Sequence, residues 1–123
     1  MKTISNTGKF ANWMAGLARK DQTAAAIVAQ RIERLKQGLG DVEAVGEGVS
    51  ELRIHTGPGY RVYFGELGGV VIVVLAGGTK KRQQADIDEA KSMFAEIKKQ
   101  FAAQQVAKTA VAPTAKSGSK RRR

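Results

Sequence analysis

The chain has 123 residues, enough for one domain with a modest single core. It contains no cysteine, which excludes disulfides and thiolate chemistry. Its formal net charge of +10 favours polyanionic partners such as nucleic acid or the ribosome. That charge is uneven: residues 1–107 carry +4, whereas residues 108–123 carry +6 and no acid. The start Met1–Asn6 lacks an apolar signal core, so a cytoplasmic protein is expected.

Lys2–Ser5 reads as a short first strand in which Ile4 is the apolar residue. Asn6 or Thr7 can cap the helix that follows, where Phe10, Trp13, Met14 and Leu17 form one apolar stripe. At that spacing Trp13 and Met14 read as core. After a break at Arg19–Gln22, a second helix is predicted over Thr23–Gln37. Ala24, Val28, Ile32 and Leu35 line one face, and Gly38 is placed as its terminator. So short a connection predicts an antiparallel helical hairpin. Gly40–Ser50 reads as a loop that can hold a short extended piece, its acids Asp41, Glu43 and Glu47 solvating it.

Glu51–Thr79 predicts three consecutive antiparallel strands. Leu52 and Ile54 alternate with Arg53 and His55, and Val62 and Phe64 alternate with Arg61 and Tyr63. A three-residue loop at Gly57-Pro58-Gly59 would pair His55 with Arg61 and Arg53 with Tyr63. One face would then be core, and the other would carry Arg53, His55, Arg61 and Tyr63 together. Gly68-Gly69 is a second turn into Val70–Ala76, a β-branched run suited to a strand covered on both faces. Gly77-Gly78-Thr79-Lys80-Lys81-Arg82 then leads to a helix from about Gln83 to Gln104. Its apolar positions are Ile87, Ala90, Phe94, Ile97 and Phe101. The Ala/Thr/Pro/Ser/Lys tail from Lys108 has no periodicity and is expected to be disordered. The predicted order is β-α-α-β-β-β-α: an α+β fold with helices packed on one face of an antiparallel sheet.

The stretches Phe10–Met14, Arg31–Leu35, Glu51–His55, Gly57–Phe64 and Leu75–Lys80 together resemble the RelE/ParE superfamily of type II toxin–antitoxin modules. The resemblance covers roughly residues 1–100 and is closest to the HigB-like, phage-related addiction module killer proteins. It implies a toxin domain over 1–107, inhibited by a cognate antitoxin, with the 108–123 tail outside the pattern. HigB-like and RelE-like members cut mRNA on the ribosome, whereas ParE-like members inhibit DNA gyrase. The resemblance leaves that choice open.

Metal-free RNA cleavage uses the 2′-hydroxyl as nucleophile and needs a proton acceptor and a phosphate-binding cation. Arg61, Lys80, His55 and Tyr63 are the candidate catalytic residues, and Arg53, Lys81 and Arg82 the candidate RNA-binding ones. Arginine binds phosphate bidentately, Tyr63 can stack on a base or donate its phenol, and histidine is the side-chain type suited to proton transfer near neutral pH. A basic residue at the place of Lys80 commonly binds or cleaves RNA in the family, as the resemblance implies. A merely solvated sheet face would carry a similar residue set. No metal-ligand spacing and no phosphate-binding glycine loop is present, so neither metal nor cofactor is expected. The expected function is an endoribonuclease toxin acting on ribosome-bound mRNA. The alternatives are a non-enzymatic gyrase inhibitor and a basic nucleic-acid-binding regulator.

Overall fold

A computed structural model describes the backbone of residues 2–111 and the side chains of residues 2–105. It consists of β1 (Thr3–Asn6), α1 (Gly8–Lys20), α2 (Gln22–Arg34) with a 3-10 turn over Leu35–Gln37, β2 (Asp41–Gly46), β3 (Val49–Ile54), β4 (Tyr60–Leu67), β5 (Val71–Thr79), a 3-10 turn over Lys80–Arg82, and α3 (Gln83–Val111). The fold is α+β, with five strands in the order β1-β5-β4-β3-β2. β1 runs parallel to β5 and every other pair is antiparallel, so the sheet is mixed rather than antiparallel.

The first helix starts at Thr7, one of the two caps the sequence offers, and the second at Asp21, inside the expected break. Thr7 Oγ1 accepts from Phe10 N at 3.1 Å and donates to Leu75 O at 2.7 Å, which ties the start of α1 to β5. Asp21 alone separates α1 from α2. Its backbone N–H caps the C-terminus of α1 through Leu17 O, and its carboxylate accepts from Ala24 N at 3.0 Å. Asp21→Ala should therefore lower stability by about 1 kcal/mol, the typical cost of losing an N-cap side chain. Chemical denaturation of the two proteins checks this, and an unchanged midpoint would remove the capping role.

Helices cover both faces of the sheet, not one. Phe10, Leu17, Ala24, Val28 and Ile32 pack with Leu52, Ile54, Tyr60, Val62, Phe64, Ile72 and Val74. On the opposite face Ile87, Ala90 and Phe94 of α3 pack with Val49, Tyr63, Val73, Leu75 and Ala76. Alternation along β4 and β5 supplies both cores, which is why the run from Val71 to Ala76 is apolar throughout.

Three further differences from the sequence reading have identifiable causes. Asp41–Gly46 is an edge strand, not a loop; it is almost wholly exposed, so its sequence shows no core pattern. The β3–β4 loop spans five residues, not three. Gly59 N bonds to Thr56 O at 2.9 Å, closing a turn around Gly57 and Pro58 beyond the ladder, which ends at Ile54↔Tyr60. The register moves by two residues, so faces are kept but partners change: Arg53 faces Arg61, and Glu51 faces Tyr63. Finally, α3 continues past Gln104 to Val111, overrunning the boundary at Ala107 with a sequence rich in good helix formers. The remaining tail, 112–123, lies outside the described residues. Among the described residues no helix is long and apolar enough to cross a membrane.

Candidate active site at one end of the sheet

Two cross-strand rungs on the α3 face build the site. One runs Asp41↔Arg53↔Arg61↔Gly78 and the next Glu43↔Glu51↔Tyr63↔Ala76. Like charges sit directly opposite within each rung, which alone would be unfavourable. The neighbouring rung compensates diagonally. Arg53 Nη2 lies 2.6 Å from Glu43 Oε1, and Arg61 Nη1 lies 3.3 Å from Glu51 Oε1. The result is a checkerboard of two guanidiniums and three carboxylates.

Glu51 is its hidden member. Only 1% exposed, it accepts from the Tyr63 hydroxyl at 3.2 Å and from Gln83 Nε2 at 2.9 Å, besides pairing with Arg61. A buried carboxylate is tolerated only with such partners. Gln83 is the first residue of α3, so this contact also pins the helix start to the sheet. Arg53 Nε is buried without a hydrogen-bond partner among the described residues, 3.7 Å from Asp41 Oδ2 and 3.9 Å from Glu51 Oε1.

Tyr63 does not reach solvent. It is 0% exposed beneath α3, and burial, together with the neighbouring Glu51 carboxylate, raises its phenol far above the ordinary range. It cannot stack on a base or exchange protons with substrate; it holds Glu51. His55 does not face Arg61 either. It leaves the end of β3 into the loop, its side chain 74% exposed, with Nε2 2.7 Å from Asp41 Oδ2. That hydrogen bond, first among its causes, lowers the Asp41 pKa, with the charges of Arg53 and His55 adding to it against partial desolvation. In the tautomer that donates from Nε2 to Asp41, the contact fixes the ring and Nδ1 carries the lone pair.

Lys80, Lys81 and Arg82 form the exposed 3-10 turn after β5. Because Tyr60 pairs with Thr79 and Ile54 with Tyr60, this turn emerges at the same sheet end as His55 and the Arg53–Arg61 rung. Neither Lys80 nor Lys81 has an ion pair among the described residues. All seven candidate site residues thus share one sheet end, but Tyr63 lies under the surface and only six face outward. The sequence reading missed Glu51, Asp41 and Gln83. Glu51 had a signal, since it stands two residues before Arg53 on the same strand face; Asp41 had none while its strand read as loop.

A bulge completes this end. Tyr63 pairs with Ala76 and Phe64 with Val74, so Leu75 is the extra residue and the facing of β5 shifts beyond it. Gly77 then lies under the Trp13 ring and Gly78 under the Asp86 carboxylate, and a Cβ at either position would overlap that group. Asp86 is 5% exposed. Burial pushes its carboxyl above the ordinary aspartate range; Arg82 and Lys9 oppose the rise, and Glu89 adds to it. A raised folded pKa contributes stability below the unfolded pKa that is lost as pH rises through the folded one. Asp86→Asn should therefore raise Tm at neutral pH, with the gain shrinking toward about pH 3, below the unperturbed aspartate value. Thermal melts across that range check the sign, and a neutral-pH loss of Tm would reverse it.

Among the described residues, no group of three or more His, Asp or Glu is placed to hold a metal ion. No protein-family model matches the chain. A curated protein of Haemophilus influenzae, described as an uncharacterized protein, is 41% identical over 95 residues, covering 76% of this chain and 94% of that protein. At that identity and coverage, the chain belongs to the family of this Haemophilus influenzae protein.

Proposed function

We propose that the protein is a RelE/ParE-type toxin, and that it acts as a metal-independent endoribonuclease on ribosome-bound mRNA. The observation that carries this reading is the convergence at one sheet end of Arg53 and Arg61, an Asp41-oriented His55, and the unpaired Lys80 and Lys81. In the reaction, His55 Nδ1 takes the proton of the 2′-hydroxyl as O2′ bonds to phosphorus. The P–O5′ bond breaks and the leaving oxygen takes a proton, for which Lys80 is the exposed donor at this end. Arg61 stabilises the charged phosphorane, with Glu51 acting through it as a positioning residue. Lys81 and Arg82 hold flanking phosphates. A cognate antitoxin would carry acidic groups onto the same surface, since complementary charge favours association there.

Brief induction in cells tests the reading, with 5′-end mapping of mRNA and plasmid supercoiling measured together. New mRNA ends within coding regions, at unchanged supercoiling, are expected. Growth arrest with altered supercoiling and intact mRNA would instead assign the protein to gyrase inhibition.

A further inference from the structure

The strand β5 has a free edge. β1 pairs with it only from Val71 to Val74, Thr7 adds bonds to Val74 O and Leu75 O, and from Ala76 to Thr79 it pairs with β4 alone. A cavity of about 390 Å³ opens at this edge, between α1 and the start of α3, lined by Lys9, Asn12, Trp13, Gly77, Arg82 and Asp86. The Lys9–Glu89 ion pair, at 3.0 Å, joins the two helices beside it.

Asp86 is the unexplained group. The residue is 5% exposed, and its carboxylate opens on the cavity and accepts no hydrogen bond from a described residue. A carboxylate held in a mostly enclosed place is an acceptor for a ligand that presents N–H donors into the cavity. Lys9, Glu89 and Arg82 stand around it; Glu89 pairs with Lys9, which leaves the Arg82 guanidinium as the cation open to an anionic group. A ligand with N–H donors at one end and negative charge at the other suits Asp86 and Arg82 together, and a nucleotide has that form. Of the four RNA bases, only guanine offers two adjacent donors, N1–H and N2–H, on its Watson–Crick edge. A carboxylate accepts both side by side, whereas adenine, cytosine and uracil set at least one acceptor against it.

We propose that this cavity is a base-recognition pocket in which Asp86 reads a guanine of the RNA, beside the strand that carries Arg61. Gly78, under the Asp86 carboxylate, is the cross-strand partner of Arg61. Adjacent strands lie about 4.8 Å apart, so the pocket floor at Gly78 adjoins the strand position of Arg61, while Arg82 lines the pocket itself. Gly77 and Gly78 make the pocket, because any side chain there would displace Trp13 or Asp86. The raised Asp86 pKa is what an empty acceptor in a desolvated place should show.

The proposal rests on the RNA-cleaving reading, and its test separates the two. Fluorescence anisotropy with the full chain would use short 2′-O-methyl RNAs, which cannot be cut, differing at one central base: guanine, inosine or adenine. Guanine should bind about tenfold more tightly than adenine or better, the discrimination of one good bidentate contact, with inosine between because it lacks N2. Asp86→Asn, confirmed folded by its melting curve, should lose that preference. Equal binding of guanine and adenine RNA by the native chain, binding of neither, or an unchanged preference in Asp86→Asn overturns the pocket. Mapped cuts without guanine at a fixed position would also overturn it while leaving the nuclease reading in place. Guanine preference without any cutting keeps the pocket and removes the nuclease. Guanosine monophosphate bound as tightly as the RNA would overturn RNA as the ligand, in favour of a free nucleotide.

Discussion

Arg61→Ala should lower RNA cleavage by about 10²–10³-fold, the loss seen when one donor to a developing oxyanion is removed. The difficulty is that Arg61 also serves the fold. Its side chain is 17% exposed and Glu51, its partner, 2%. Removing the guanidinium leaves Glu51 buried with Tyr63 and Gln83 as donors, and breaking such a pair costs about 3–5 kcal/mol. A loss of activity alone would therefore be ambiguous. The double variant Arg61→Ala/Glu51→Gln separates the roles, because a neutral amide at position 51 no longer needs a cation. It should recover much of the lost stability and none of the lost cleavage. Arg61→Lys should keep the charge but lose the planar fork, giving intermediate activity. Denaturation midpoints and cleavage rates, measured on all three, decide the matter. A double variant that regains cleavage together with stability would make Arg61 structural, and the phosphate would have to be placed elsewhere.

The checkerboard around Arg61 shows what could be seen in the sequence and what could not. Alternation over Leu52–Ile54 and Arg61–Phe64 assigns the paired residues to their correct faces, because a shift of two residues preserves facing. It does not assign partners. Those depend on where the loop closes, and Gly57-Pro58-Gly59 closes inside a larger loop that carries His55 and Thr56 out of the ladder. Moving His55 off the strand takes it from Arg61 to Asp41, which changes its chemistry from a residue beside a cation to one oriented by a carboxylate. Asp41 itself was illegible because an exposed edge strand needs no apolar period. Tyr63 was misread for the opposite reason. A face bearing two arginines looks solvated, but Glu51 and α3 make its inner half a buried polar layer. That α3 covers this face is written in no local pattern; its stripe of Ile87, Ala90 and Phe94 says only that some face is covered. Helix ends were legible where caps are local, as Thr7 shows at a start and Gly38 at a stop.

The seating of α3 depends most on Phe94, and its effect should be the largest on stability. The ring is 1% exposed and lies directly on Gly65 in β4, where a Cβ would overlap it, with Gly48 against its edge. Phe94→Ala should cost about 3–5 kcal/mol, combining lost burial with a cavity that the rigid strands beneath cannot fill. Gly65→Ala should cost about 1–3 kcal/mol for a different reason: the added methyl pushes the ring off the sheet. Gly65 has no left-handed backbone to protect, so this cost is steric. The two changes should not add. In Gly65→Ala/Phe94→Ala the methyl enters space that the ring has vacated, so the double variant should be more stable than the sum of the single losses implies. Urea denaturation of the four proteins measures that coupling, and strictly additive losses would mean that the ring and Gly65 do not touch. The consequence reaches the site, because Gln83 and Asp86 are carried on the first turn of the same helix. Gly65→Ala alone should therefore loosen the bond from Gln83 to Glu51 and weaken cleavage from a position on the far side of Phe94, with no change to any residue that meets RNA.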